Sequence, residues 1–442
     1  MASTYDVPRL VAAHAEPLGD VAMPSLDGLL GRTSGATVVL LGEASHGTAE
    51  FYRLRAEITR RLIERDAIRF VAIEADWPDA AHLDAYVRDI PATDRAMGGG
   101  RAFMRFPAWM WRNDEVVEFA EWLRSWNSAR EPRNRVGIHG LDLYSLDESI
   151  EAVIAYLDDI DPGAASLARQ RYSCLTPFRT DPATYGYAAL TADYRACGDG
   201  VVAMLGEMLA RRLEYESRGR FRFLDAAANA RLVADAERYY RSMFESDEQS
   251  WNLRDSHMFY MLERILEAYG PGSSGAVWAH NSHLGDASAT AMGSRGELNI
   301  GQLARERFGD GAYAIGFGTH DGTVTAAASW GGRPRTMTVR PSNPSSYERV
   351  FHDGGISAAT VALRDGQADG SVREALLEPR LERAIGVIYR PQTELVSHYF
   401  RAVLPRQFDE LVFVDRTTAV VPLGGEGRAP LPAAHPFATV DA

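Results

Sequence analysis

The sequence predicts an α/β protein with an open, mostly parallel central sheet flanked by helices, and an inserted helical lobe capping the C-terminal strand edge. Three observations lead there. Short runs rich in β-branched residues recur along the chain, bounded by glycine or polar residues. Most of them are apolar on both faces, as parallel strands sandwiched between helices must be. Helical spacing fills many of the gaps between them, and the middle of the chain shows helical spacing alone.

In chain order, strands are expected at 37–41, 69–73, 135–138, 275–279, 313–317, 384–389 and 411–415. Phe51, Leu54, Ile58 and Leu62 form an apolar helical stripe after the first strand, and Val116, Phe119, Ala120 and Leu123 form another. From about 146 to 269 no run reads as a strand, and 224–243 and 251–268 carry charged helical patterns. The glycine-rich stretch 270–275 then breaks the helix and returns the chain to a strand. The expected organisation is 1–145 as the first part of an α/β domain, 146–269 as an inserted helical lobe, and 270–442 as the second part. The glycines at 98–100 read as a flexible loop, and the tail after Gly424 as loose chain.

Composition narrows the function classes. The chain has 442 residues, 46% hydrophobic and 24% charged, with a net charge of −13. That acidic balance argues against nucleic acid or an anionic membrane surface as partner. No apolar run is long enough for a membrane span, and the N-terminus has neither a basic start nor an apolar stretch. Cys174 and Cys197 are the only two cysteines, which is too few for a disulfide framework or a cysteine-rich zinc site. A cytoplasmic protein with reduced thiols, acting on a small molecule, is expected. The oligomeric state is left open.

In open parallel sheets, ligands bind beyond the carboxyl ends of the strands. The expected strands are followed by Glu43 and His46, by Glu74 and Asp76, by His139 and Asp142, by His280 and His283, and by Thr319, His320 and Asp321. Five of the 11 histidines fall in these few positions. Histidine is not a usual turn residue, so its clustering points to a shared site with acid/base chemistry.

Within that set, Glu43 and His46 are flanked by Gly42 and Gly47, which allow a tight turn and close approach of a ligand. Thr48 is placed to cap a helix over 49–65. Glu43, three residues before His46, is placed to orient its ring, and Glu74 to complete the acid/base set. Arg55 falls on the core-facing stripe of the helix and needs a partner such as Glu43, Glu74 or substrate. Asp76, His280, His283, Arg254 and His257 are further candidates for holding substrate. Phe103, Phe106, Trp109, Met110 and Trp111 form an aromatic cluster that either walls a pocket or packs as core. There is no nucleophile elbow, P-loop or dinucleotide fingerprint on a strand.

Taken together, these pieces resemble the erythromycin esterase family, within a wider superfamily that includes haem-associated ChaN-like proteins. The matching segments are LLGEASHG at 40–47, VAIEAD at 71–76, FPAWMW at 106–111, RDSHM at 254–258 and VWAHNSH at 277–283. The segment at 386–400 looks like a feature of one bacterial branch. The resemblance implies a metal-independent, cofactor-free hydrolase that opens an ester with water. His46 matches the general base, Glu43 and Glu74 the acidic residues that orient base and water, and Arg55, His280 and His283 the groups around substrate. The substrate is not necessarily a macrolide. The same donors suit a metal-dependent hydrolase, a non-hydrolytic biosynthetic enzyme, or a haem-like ligand-binding protein.

Overall fold

A computed structural model describes residues 6–90, 102–178, 182–189, 195–244 and 246–423. The glycine run at 98–100 and the tail from Gly424 lie outside them. Eleven strands are found among these residues: β1 (Glu16–Pro17), β2 (Val38–Leu41), β3 (Phe70–Asp76), β4 (Gly137–Asp142), β5 (Gly275–Trp278), β6 (Ala312–Ala326), β7 (Arg335–Val339), β8 (Ala358–Ala362), β9 (Arg380–Arg383), β10 (Tyr399–Ala402) and β11 (Glu410–Thr417). Nine of them form one sheet in the order β1-β8-β11-β6-β2-β5-β3-β4, with β7 paired to β6. From β4 across to β11 every pairing in this order is parallel, while β8 runs antiparallel to β11. β9 and β10 form a separate two-stranded ribbon.

The central strands are short and wholly apolar because both of their faces are buried. Val38 and Leu40 enter the core on one side of the sheet, and Val39 and Leu41 the core on the other. Phe70 and Ala72 of β3 divide from Val71 and Ile73 in the same way. This is the side-chain alternation of a pleated strand. The helix Ala49–Glu64 lays its stripe of Phe51, Leu54, Ile58 and Leu62 on one face, joined by Asp114–Ser128. Residues 146–269 contribute no strand among the described residues. They run through helices that include Leu146–Ile160, Arg220–Ser242 and Asp247–Tyr269.

Several elements differ from expectation. β3, β4 and β6 run on through Asp76, Asp142 and Ala326, so polar residues expected to follow these strands lie within them. Backbone pairing continues there, with Asp76 opposite Asp142 past a register shift, while the side chains turn polar. The run at 384–389 is not a strand and makes only isolated bridges, through Ile385 to Ser45 and Ile388 to Ala327. β7 to β10 were not expected. β8 is alanine-rich, and β7, β9 and β10 carry charged residues that mask a strand pattern. Cys174 is disulfide-bonded rather than a free thiol. Among the described residues no helix is long and apolar enough to cross a membrane.

Candidate active site

Beyond the carboxyl ends of β3, β4 and β5 lies a cavity of about 730 Å³. Its floor carries His46, Glu74, Asp76, Asp142, His280 and His283, and its sides carry Arg105, Tyr144, Trp251 and Arg254.

His46 follows β2 in a segment packed without slack. A Cβ on Gly42 would lie 2.2 Å from Asn281 Oδ1, and one on Gly47 would lie 1.9 Å from the Thr325 carbonyl oxygen. These glycines therefore provide room for neighbouring protein groups rather than a turn or a path for ligand. Thr48 stands at the N-cap of Ala49–Glu64, yet its hydroxyl pairs with Ser45 and caps nothing. The expected side-chain cap is replaced by a contact that braces the loop.

The His46 ring is held from behind. Its Nδ1 lies 2.8 Å from Glu43 Oε1, and the other carboxylate oxygen of Glu43 lies 2.6 Å from Arg55 Nη2. Tyr52 donates to the His46 carbonyl at 2.8 Å. Arg55 is fully buried and sits over the rings of Tyr52 and Trp278, 4.4 and 5.2 Å from their centroids. The carboxylate fixes the Nδ1–H tautomer, so Nε2 is the nitrogen left to accept a proton.

Glu74 is the second anchor. One oxygen accepts from Arg254 Nη2 at 2.8 Å and lies 3.3 Å from His283 Nε2, and the other accepts from the His280 backbone at 2.9 Å. Burial by itself raises this carboxyl, but His283, His46 and Arg254 outweigh it and hold Glu74 well below the usual carboxylate range. His283 is buried too, yet Asp255 at 2.9 Å and Glu74 overcome burial and push its ring up to about 9. Arg254 Nη1 lies 3.1 Å from the same Nε2. Two donors cannot share that contact, so a protonated His283 directs its Nε2–H at the Glu74 carboxylate and keeps the proton. Trp251 stacks flat on the ring at 4.6 Å.

His280 has the opposite character. Burial and the neighbouring His46 ring, 4.9 Å away, hold it well below the usual histidine value. Its Nδ1 accepts from the Ser282 backbone, which leaves Nε2–H buried beside the Ala44 backbone. Arg254 completes the floor by gripping Asp142 with Nε at 2.9 Å and Nη2 at 2.6 Å. Asp76 accepts from the Tyr144 and Ser145 backbone and from Arg105. Burial, opposed by Arg105 and aided by Asp142 and Asp79, raises it to about 7.

Glu43 is paired with Arg55, and Glu74 and Asp142 share Arg254. Carboxylates already paired with guanidinium groups are poor metal ligands, and this arrangement suits acid/base work with water.

Some sequence candidates fall elsewhere. Arg55 does not line the cavity, because its guanidinium is spent on Glu43. His257 turns away from it and bonds Asp235 of the neighbouring helix at 2.8 Å. His139 packs between Phe70, Trp77 and Tyr269, where burial lowers it to about 4. His320 lies on β6 against His352. The aromatic cluster divides: Phe103, Phe106, Met110 and Trp111 face the cavity, and Trp109 is core. Sequence reasoning gives no role to Tyr52, Arg105 or Trp251. Asp255 sits inside the RDSHM segment, whose charged groups the sequence places over the site, but helix spacing carries no sign that its partner is His283. Val396, Ser397, His398, Tyr399 and Phe400 also line the cavity, so the 386–400 segment forms part of one wall.

The sequence model of the erythromycin esterase family matches residues 63–417. The chain belongs to the erythromycin esterase family. Glu43, His46 and Arg55 precede the matched span, so the match does not itself cover the base. Among curated relatives, "Putative hydrolase YbfO" of Bacillus subtilis (strain 168) is 21% identical over 93% of this chain and 91% of its own. "Erythromycin esterase type I" of Escherichia coli is also 21% identical, over 72% and 76%. The structure of a mutant of the erythromycin esterase EreC in its open conformation superposes with a TM-score of 0.67. It is 19% identical and covers 91% of this chain and 97% of that one, which shows that the fold is shared.

Proposed function

We propose that this erythromycin esterase-family protein hydrolyses a carboxylic ester or lactone by direct attack of water, with His46 as general base. The observation that carries this reading is the Arg55–Glu43–His46 relay, which leaves Nε2 on the cavity side of a fixed ring. In the proposed reaction, Nε2 takes a proton from water as its oxygen bonds to the carbonyl carbon. The C=O pair moves onto oxygen, and collapse of the tetrahedral species expels the alkoxide, which receives the proton from His46. Glu74, held as a carboxylate, orients the water. The positive charges of Arg254 and His283 offset the oxyanion, and His280 flanks His46 as a neutral wall.

A cavity of this size, walled partly by aromatic rings, suits a drug-sized amphipathic ester. Because relatives carry the name erythromycin esterase, macrocyclic lactones are the first substrates to try. A panel of macrolides and simple esters is assayed with wild type and with His46→Ala. Expected is turnover by wild type that falls by about 10³-fold or more in the variant. Equal turnover by both would overturn His46 as base, and a folded wild type that cleaves no ester would overturn the hydrolase reading.

A further inference from the structure

A second cluster of chemistry-bearing side chains lies outside the cavity. His320 of β6 and Asp415 of β11 are cross-strand neighbours, since Thr319 pairs with Val414 and Asp321 with Arg416 in the parallel register. The helix Tyr347–Asp353 packs over both strands and brings His352 down from its last turn. A ring nitrogen from each histidine and a carboxylate oxygen of Asp415 all come within 4.8 Å of one another. Among the described residues this is the single group of three or more His, Cys, Asp or Glu side chains with such spacing.

We infer that His320, His352 and Asp415 form a binding site for one first-row divalent cation of the zinc type, distinct from the candidate active site. The donor set is two imidazoles and one carboxylate, which suits borderline metals and leaves a position for water. His320 is buried and oriented, with Nδ1 held by Ser342 Oγ at 2.6 Å, so that Nε2 is the nitrogen available. Such a hydrogen bond to the far nitrogen is how metal-binding histidines are fixed. His352 Nδ1 and Asp415 Oδ1 stand 2.8 Å apart as a hydrogen-bonded pair, and an ion would replace the proton between them. Their side chains are about one third exposed, so an ion has a way in.

The charges facing the site favour a cation. Arg416 is paired with Asp321 and Arg349 with Asp353, so neither arginine neutralises Asp415, whose carboxylate meets the His352 ring. The two rings stack at 3.5 Å and 6°, an arrangement that two imidazolium ions would oppose. A bound cation needs both rings neutral, and because imidazole lone pairs lie in the ring plane, the partly exposed His352 ring must swing out of the stack to meet it. It would clip the helix Tyr347–Asp353 to the sheet.

The test titrates Zn²⁺ into metal-free full-length protein by calorimetry, with wild type, His352→Ala, Asp415→Asn and His46→Ala. His352 and Asp415 are about one third exposed and lie outside the apolar core, so these variants retain it. Expected is one equivalent bound by wild type and by His46→Ala, with affinity at least about tenfold weaker in the other two variants. Replacing Zn²⁺ by Co²⁺ should add a visible absorption that His352→Ala abolishes. The inference is overturned by a wild type that binds no Zn²⁺, or by binding that survives His352→Ala. It is equally overturned by binding that His46→Ala removes, which would place the metal in the candidate active site.

Discussion

His46 shows how one side chain acquires a role from what stands behind it. A histidine in a loop turns freely, but here Glu43 sets its tautomer and Arg55 sets Glu43. Substituting Glu43 alone would confuse two effects, because it strands a buried guanidinium at a cost of about 3–5 kcal/mol. The double variant Glu43→Gln/Arg55→Met removes the buried charges together and is expected to keep most of the stability. Ester turnover should still fall about 10²-fold or more with little change in KM, since the ring is no longer oriented for proton transfer. Steady-state kinetics together with thermal denaturation check both halves of that expectation. At this scale the sequence was informative about residue type and order, and Glu43, His46, Glu74, His280 and His283 were all singled out. Which carboxylate meets which cation was not legible, because the partners of Glu74 lie 180 and 206 residues away in the chain.

Elements decide the shape of the cavity. The strand ends aim the polar floor, while the walls come from outside the main sheet: the segment around Phe106, Trp330 after β6, and residues 396–400, which run into β10. Phe106 and Trp330 meet edge to face at 5.0 Å, and Trp330 is two-thirds exposed. This pair stands where a bulky substrate must be gripped and contributes nothing to the floor. Phe106→Ala/Trp330→Ala is therefore expected to raise KM about tenfold for bulky esters, roughly the worth of one aromatic contact, with kcat unchanged. Small esters should be indifferent to the change, and comparing the two substrate classes checks it. Central strands and the two amphipathic helices were legible because burial on one or two faces writes a period into the sequence. β7, β9 and β10 were not, since short strands and ribbons with charged residues obey no such period, and β8 was not because its alanines carry little strand signal.

At the scale of the molecule, the helix Asp247–Tyr269 is tied to the sheet through ion pairs rather than apolar packing alone. Arg254 reaches Glu74 and Asp142, and Asp255 reaches His283, so four elements share one buried network. His283 gains these partners only on folding, which raises it from 6.5 to about 9. The stability it contributes is complete below its ordinary value and is lost as pH rises through about 9. The shift corresponds to about 3 kcal/mol. Denaturant unfolding of wild type should weaken by about that amount between pH 7 and 10, and His283→Asn, less stable throughout, should show a shallower loss over the same window. A wild type with no fall in stability across it would remove His283 from the network as a charged member.

The sequence by itself determined the α/β class, the mostly parallel sheet, the lack of strands among the described residues of 146–269 and the residue types gathered near the strand ends. Periodicity and strand-end chemistry are local, and local signals survive in a linear string. Only the tertiary structure decided that Arg55 serves Glu43, that His257 and His139 are packing residues, and that His320 meets His352 and Asp415. Each of those outcomes depends on which face of an element meets a partner from distant chain, and contact across the fold has no signature in the spacing of neighbours.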